Sequence, residues 1–331
     1  MTTPLRRVAE LEGHLAVEKV THHIGDIDVI SLENPYWACL IAPALGGQIL
    51  SLRFKPLNWE LLRVPSHQKA WEDEPFLFGI PILIPPGRIA EGQFTWNGTH
   101  YHWPQNDTAG PNHLHGFVWN RPWRVVDVSA THLWLTLGAQ GTADLAWYMG
   151  SRLNVGVEYA LRGPELLIRV TAQNTGSMSV PFGIGFHTTW NLQEQDWEVL
   201  IPRGREWAMT TAVMPNGTFL PHLSSLRGLP VGRLATSVVA DACYRLDDDV
   251  DTAVFMRGAE SAFEFIWQPD AQFRQLTIFR PSLNSPFICV EPCTWTHNAP
   301  NLSVDQAISG MSGLDSGEEK VFEYRILANA Q

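Results

Sequence analysis

Four stretches of this sequence gather residues able to move protons or hold polar ligands: PPGRIAEGQF at 85–94, NHLHGFVWNRPW at 112–123, GIGFHTTWNL at 183–192 and FICVEPCTW at 287–295. Glu291 stands inside the apolar run PFICVEP. A carboxylate there meets a desolvation cost unless it is paired or lines a cavity. Strand alternation puts Cys289, Glu291 and Cys293 on one face and Ile288, Val290 and Pro292 on the other. His187 follows GIGF, where a strand ends, and precedes Thr188 and Thr189. Taken singly, each residue has a plain structural reading: Glu291 as the partner of a structural arginine, His187 as a packing residue. Taken together they offer a carboxylate and an imidazole, with ordinary pKa values of about 4.3 and 6.5. Such a pair serves as general base and general acid near neutrality when its surroundings separate the two roles.

The histidine-rich stretch supports a second chemistry. His113 and His115 lie two apart, His100 and His102 are near in sequence, and Glu91 or Glu291 can add a carboxylate. Three neutral imidazoles with one carboxylate suit zinc or iron. The His-x-His spacing is a weak signal, and Leu114 and Gly116 around it read as a tight turn.

Whatever positions these groups is built from strands. Sustained helical periodicity is nearly absent. The chain reads instead as short segments of period two, punctuated by 26 Gly and 23 Pro. GQFTWNGTHYHW predicts a hairpin turning at Asn97-Gly98, and GPELLIRVTAQNTG predicts a strand that ends in a turn. SAFEFIW, FRQLTIFRP, PFICVEP and KVFEYRI repeat the pattern, with a short helix expected at 301–309 before the last strand. The fold class is all-β, a large antiparallel sandwich or barrel. No internal repeat or linker is visible, so residues 1–331 read as one domain.

Composition narrows the partners. With 23 basic and 34 acidic residues the net charge is −11, which argues against nucleic acid or an anionic membrane. No apolar run approaches the ~18 residues that span a bilayer. MTTPLRRVAELEG, at the start, lacks the apolar stretch of a secretory signal, so the cytoplasm is the default location. Cys39, Cys243, Cys289 and Cys293 are irregularly spaced and read as reduced, packed thiols. Fourteen tryptophans either fill a β core or lie against sugar rings.

The clusters, in order, resemble the aldose 1-epimerase (galactose mutarotase-like) family. The residues that carry this are GIPILIPPGRIAEGQF, Leu114-His115-Gly116, HTTWNL, Asp241 with Tyr244 three residues on, VEPCTWTHNAPN and GMSGLDSGEE. They run from about residue 40 to 327, nearly the whole chain. The resemblance implies a β-supersandwich with a cleft on one sheet. It implies Glu291 as catalytic base and His187 as catalytic acid, with Arg88, His115 and Asp241 contacting sugar hydroxyls. Members that act on free galactose often carry Asn before the Arg-Ile; Gly87 stands there in this sequence. The segment HGFVWNRPW also resembles a branch that acts on hexose 6-phosphates, for which Arg121 and Arg124 are the candidate phosphate contacts.

The implied reaction interconverts the α and β anomers of an aldohexose. A base removes the O1 proton while an acid protonates the ring oxygen. The open aldehyde rotates about C1–C2 and recloses with the roles reversed. Neither redox change nor group transfer occurs, so no cofactor and no metal are expected. The expected partner is a small sugar, with no nucleic acid and no membrane, and the chain is expected as a monomer or homodimer. A non-catalytic sugar-binding module is the rival reading on the same scaffold. Trp119, Trp190 and Trp295 are the candidates to stack on the sugar ring.

Overall fold

The computed structural model describes residues 21–193, 196–258 and 263–330, and the N-terminal stretch considered above lies outside them. Two large antiparallel sheets dominate. The first has nine strands, in the order Trp123–Val128, His132–Leu137, Leu153–Arg162, Glu165–Asn174, Glu319–Ala330, Phe263–Pro269, Val254–Gly258, Trp197–Leu200 and Arg233–Leu234. The second has eight. Six of them form the series Gly204–Met209, Ala240–Leu246, Gln275–Arg280, Phe287–Cys293, Gly185–Phe186 and Ile82–Leu83; Pro215–Phe219 extends it, and Thr188–Asn191 also pairs with Phe287–Cys293. A five-stranded sheet covers residues 21–60.

The pairing follows from the alternation. In Glu319–Ala330 the residues Phe322, Tyr324, Ile326 and Ala328 are buried in turn, while their neighbours are more open. Leu153–Arg162, between His132–Leu137 and Glu165–Asn174, is buried along most of its length. One apolar cluster joins the sheets and includes Trp37, Phe54, Trp190, Trp197, Phe265, Trp267 and Tyr324. Each large side chain buried there contributes roughly 1.5–3 kcal/mol from loss of apolar surface to water. All four cysteines are free and buried.

The hairpin of Gln93–Trp96 and Thr99–His102 turns at Asn97 and Gly98, both with positive φ, as the Asn-Gly dipeptide requires. Two helical details differ from the sequence reading. Residues 301–309 do not form one helix: a 3₁₀ turn spans Ala299–Asn301, and a single α-turn, Gln306–Ser309, starts where Asp305 caps the Ala307 amide. An 11-residue helix, Ala139–Met149, was not expected. It buries only Gly141, Leu145 and Met149, a stripe too narrow to stand out as a helical period, and it stops at Gly150 in the left-handed conformation. Among the described residues, no helix is long and apolar enough to cross a membrane.

Candidate active site

A cavity of about 580 Å³ opens on the eight-stranded sheet, within the range usual for small-molecule sites. Arg88, His115, His187, Asp241 and Glu291 all line it. They come from five regions of chain, brought together by the fold. Glu291 on Phe287–Cys293 pairs with Thr277, and Asp241 on Ala240–Leu246 pairs with Phe279 of the same neighbouring strand; Thr277 and Phe279 also line the cavity. One face of three adjacent strands thus forms the floor.

His187 falls between two short strands, and its backbone amide donates to the Pro81 carbonyl at 3.0 Å. Its neighbours fix its direction. Phe186 is fully buried and packs on Tyr324 at 5.0 Å, while the Thr188 hydroxyl lies 3.1 Å from the Tyr324 hydroxyl. With both neighbours committed to the interior, the imidazole between them faces the cavity. There its Nε2 lies 3.2 Å from Glu291 Oε1, and both side chains are buried.

The arginine and the second histidine arrive from the facing loops. Arg88 lies on a short strand, Arg88–Ala90, paired with Asn112–Leu114. Its Nε donates to Asp107 at 2.9 Å, and Asp107 also accepts from Asn112 Nδ2 and the Ala109 amide. Burial works against the Asp107 charge, but these donors outweigh it and hold the carboxyl below its usual range. Next to Arg88, Gly87 donates its N–H to His115 Nδ1 at 3.2 Å, and the His115 amide donates back to the Gly87 carbonyl at 3.0 Å. His115 holds φ +59°, an unusual backbone state for a non-glycine residue. Phe76 packs over His115 at 4.5 Å, against Trp119 at 4.7 Å, and stacks near His187 at 5.9 Å.

Burial sets the electrostatics. It drives the Glu291 carboxyl well above its usual range, helped by the nearby Asp241 charge and opposed by Arg88. It lowers His187 to about 3, with the His297 and Arg88 charges pushing the same way. His115 is likewise well below the ordinary value, through burial and then the charges of His187, His297 and Arg88. Asp241 reaches solvent through the cavity mouth, yet its surroundings still raise it, against the pull of Arg88. Burial therefore favours a neutral His187 and a protonated Glu291: the dyad holds one proton, which burial keeps on the carboxyl.

The metal reading fares poorly on chemistry. His113 lies apart from the cavity, with Nδ1 on the Pro104 carbonyl and its ring among Trp103 and Phe117. His100 bonds Thr95 and His102 is exposed. Among the described residues, His115, His187 and Glu291 do bring ligand atoms within 4.8 Å of one another. But Gly87 N–H occupies the Nδ1 lone pair of His115, so the neutral ring carries its proton on Nε2. A metal-binding histidine needs the reverse arrangement, a free lone pair toward the ion and an N–H toward the second partner. His115 is built to donate, which suits an oxygen ligand.

Of the three tryptophans considered, only Trp119 lines the cavity. Trp190 packs on Trp267 at 5.3 Å, and Trp295 donates to the Pro86 carbonyl from the interior. Arg121 pairs with Asp144, and neither it nor Arg124 lines the cavity. The sequence reading did not single out Phe76, Asp107, Thr277, Phe279 or His297. The signal for Thr277 and Phe279 was cross-strand register with Glu291 and Asp241. His297 lay in plain view, six residues beyond Glu291.

A profile of the family described as aldose 1-epimerase matches residues 28–327. The uncharacterized protein YihR of Escherichia coli K12 is 28% identical over 209 residues, 62% of this chain and 63% of that protein. The galactose mutarotase of Rattus norvegicus is 32% identical over 154 residues, 44% of this chain and 42% of that protein. The chain thus spans less than two thirds of the length of either relative. Among solved structures, a galactose mutarotase-like protein from Clostridium acetobutylicum superposes with a TM-score of 0.84 at 20% identity, covering 94% of this chain and 97% of that one. At that identity the likeness speaks for the fold alone.

Proposed function

Since the chain belongs to the aldose 1-epimerase family, we propose that it interconverts the α and β anomers of an uncharged aldohexose, with Glu291 as base and His187 as acid. The observation that carries this reading is the 3.2 Å approach of His187 Nε2 to Glu291 Oε1 on the cavity floor. In a cyclic aldose, O1 and the ring oxygen are bonded to the same carbon. A base for one and an acid for the other must therefore sit side by side. Glycoside hydrolysis asks for a different spacing, two carboxyl groups about 5 Å or more apart.

Opening the ring moves two protons. Glu291, as carboxylate, takes the O1 proton as the C1–O1 bond becomes a carbonyl. His187, as imidazolium, gives its proton to the ring oxygen as the C1–O5 bond breaks. After rotation about C1–C2, Glu291 returns a proton to the carbonyl oxygen and His187 recovers one from the attacking hydroxyl. The active charge state has the same proton count as the resting dyad, so substrate binding only has to shift one proton from Glu291 to His187. Arg88, His115 Nε2–H and Asp241 can supply the hydrogen bonds that orient the sugar. Positioned proton transfer contributes roughly 10²–10⁴-fold in rate.

The lining supports an uncharged substrate. Among the described lining residues Arg88 is the only Lys or Arg, and Asp107 already pairs with it. Glu72, Asp73 and Glu74 stand along the wall, with Asp241 beside Glu291 below. Asp73 pairs with Lys69 and Glu74 with Arg63, which leaves Glu72 and Asp241 as the carboxylates without a cation; a phosphate would meet these and no unpaired cation among the described lining residues. Polarimetry on freshly dissolved α-D-glucose, α-D-galactose and glucose 6-phosphate, corrected for spontaneous mutarotation, tests both parts. Acceleration of a neutral sugar is expected. Acceleration of the phosphate alone overturns the uncharged substrate, and acceleration of none across a wider hexose panel overturns the activity.

A further inference from the structure

The space that a side chain at position 87 would occupy is already filled. A Cβ built on Gly87 would lie 2.4 Å from Cδ2 and 3.0 Å from Cγ of His297. Gly87 also holds φ +74°, which glycine adopts freely and Asn tolerates better than most residues. His297 reaches this point from beyond the Glu291 strand. It is buried at 3% exposure yet lines the cavity, and its Nε2 lies 3.3 Å from the hydroxyl of Thr277, the cross-strand partner of Glu291. Its Nδ1 is buried beside the Val213 backbone, which favours the charged ring.

We propose that His297 contacts the sugar directly and determines specificity, filling the space that a side chain at position 87 would otherwise occupy. The inference rests on the reading of this cavity as a sugar site. Two features support it. The ring lines the cavity between Gly87 of the Arg88 segment and Thr277, the cross-strand partner of Glu291. And the two positions share space: position 87 can carry a side chain only if residue 297 is small and its Cα, 3.1 Å from the added Cβ, gives slightly. A pocket built to bond a hydroxyl discriminates against analogues that lack it.

The test compares the wild type, His297→Ala and the double variant Gly87→Asn/His297→Ala on glucose and on its 2-, 3-, 4- and 6-deoxy analogues. For the wild type, removing the contacted hydroxyl is expected to raise KM about tenfold. In His297→Ala that penalty disappears at one position and persists at the others, while kcat on glucose changes less than KM. The double variant restores the lost penalty at least in part. If His297→Ala remains folded by circular dichroism and keeps the wild-type profile of deoxy penalties, the proposal is overturned. Should His297→Ala fail to fold, His297→Gln is read in the same way. A wild type that accelerates mutarotation of no sugar removes the parent reading itself, an outcome distinct from an active enzyme indifferent to residue 297.

Discussion

Glu291 and His187 show how burial separates two groups that would otherwise titrate within about two units of each other. Burial raises the carboxyl and lowers the imidazole to about 3, so their protonation order is inverted relative to solution. The dyad holds a single proton from the acidic limit set by His187 to the alkaline limit set by the raised Glu291. That has a kinetic consequence. The low-pH limb of kcat/KM belongs to addition of a second proton, so it lies far below 6.5. We predict a flat profile between pH 7 and pH 5, measured by polarimetry with the acid-catalysed background subtracted. An inflection near 6.5 would mean that His187 titrates as an ordinary solvated histidine. The sequence already offered Glu291 and His187 as an acid–base pair, because a carboxylate in an apolar run and a histidine at a strand end are chemically conspicuous. It did not disclose that they touch, since nothing local records which strands become neighbours.

At the level of elements, the site depends on close backbone approaches. His115 is aimed by the turn that follows it: Gly116 bridges to Ile84, and a Cβ on Gly116 would stand 1.9 Å from the Ile84 carbonyl oxygen. Gly116 also has φ +73°. Gly116→Ala combines left-handed strain with a backbone clash. It is expected to destabilise by about 1–3 kcal/mol and to lower kcat/KM through displacement of His115. Thermal unfolding and kinetics on the soluble fraction check both; an unchanged protein would show that the turn has slack. This level was partly legible. Asn97-Gly98 and the alternating strands are local signals, and they appear where expected. The helix Ala139–Met149 and the broken segment at 299–309 were not legible, since short elements with narrow apolar faces are decided by tertiary packing.

Over the whole molecule, buried titratable groups tie stability to pH with opposite signs. His113 is lowered to about 4 by burial, against the pull of the Pro104 carbonyl. Between pH 6.5 and 4 the unfolded chain takes up a proton there that the folded chain refuses, so stability falls as pH falls and the loss is complete below about 4. Glu60, Asp241, Asp270 and Glu291, all raised chiefly by burial, act in the other direction above their unfolded values, favouring the folded state until pH rises through their folded pKa values. A single variant isolates one contribution. His113→Gln removes the histidine's acid sensitivity, so the stability difference between wild type and variant should shift by about 3 kcal/mol between pH 6.5 and 4 in the variant's favour. Parallel denaturation curves at both pH values would show that His113 protonates without opening the fold. The sandwich class was visible in the sequence because alternation and Gly/Pro punctuation recur along the chain. The partition into nine and eight strands was not, because strands adjacent in a sheet come from distant stretches, as with Glu165–Asn174 beside Glu319–Ala330.

The account stands most directly on one comparison: polarimetric mutarotation rates of a neutral hexose for the wild type, Glu291→Gln and His187→Asn, each verified as folded. Both substitutions keep the size of the side chain and remove its proton chemistry. The expected result is wild-type acceleration with a loss of roughly 10²–10⁴-fold in kcat for each variant. Retention of near wild-type rates by either folded variant would contradict proton transfer through this pair.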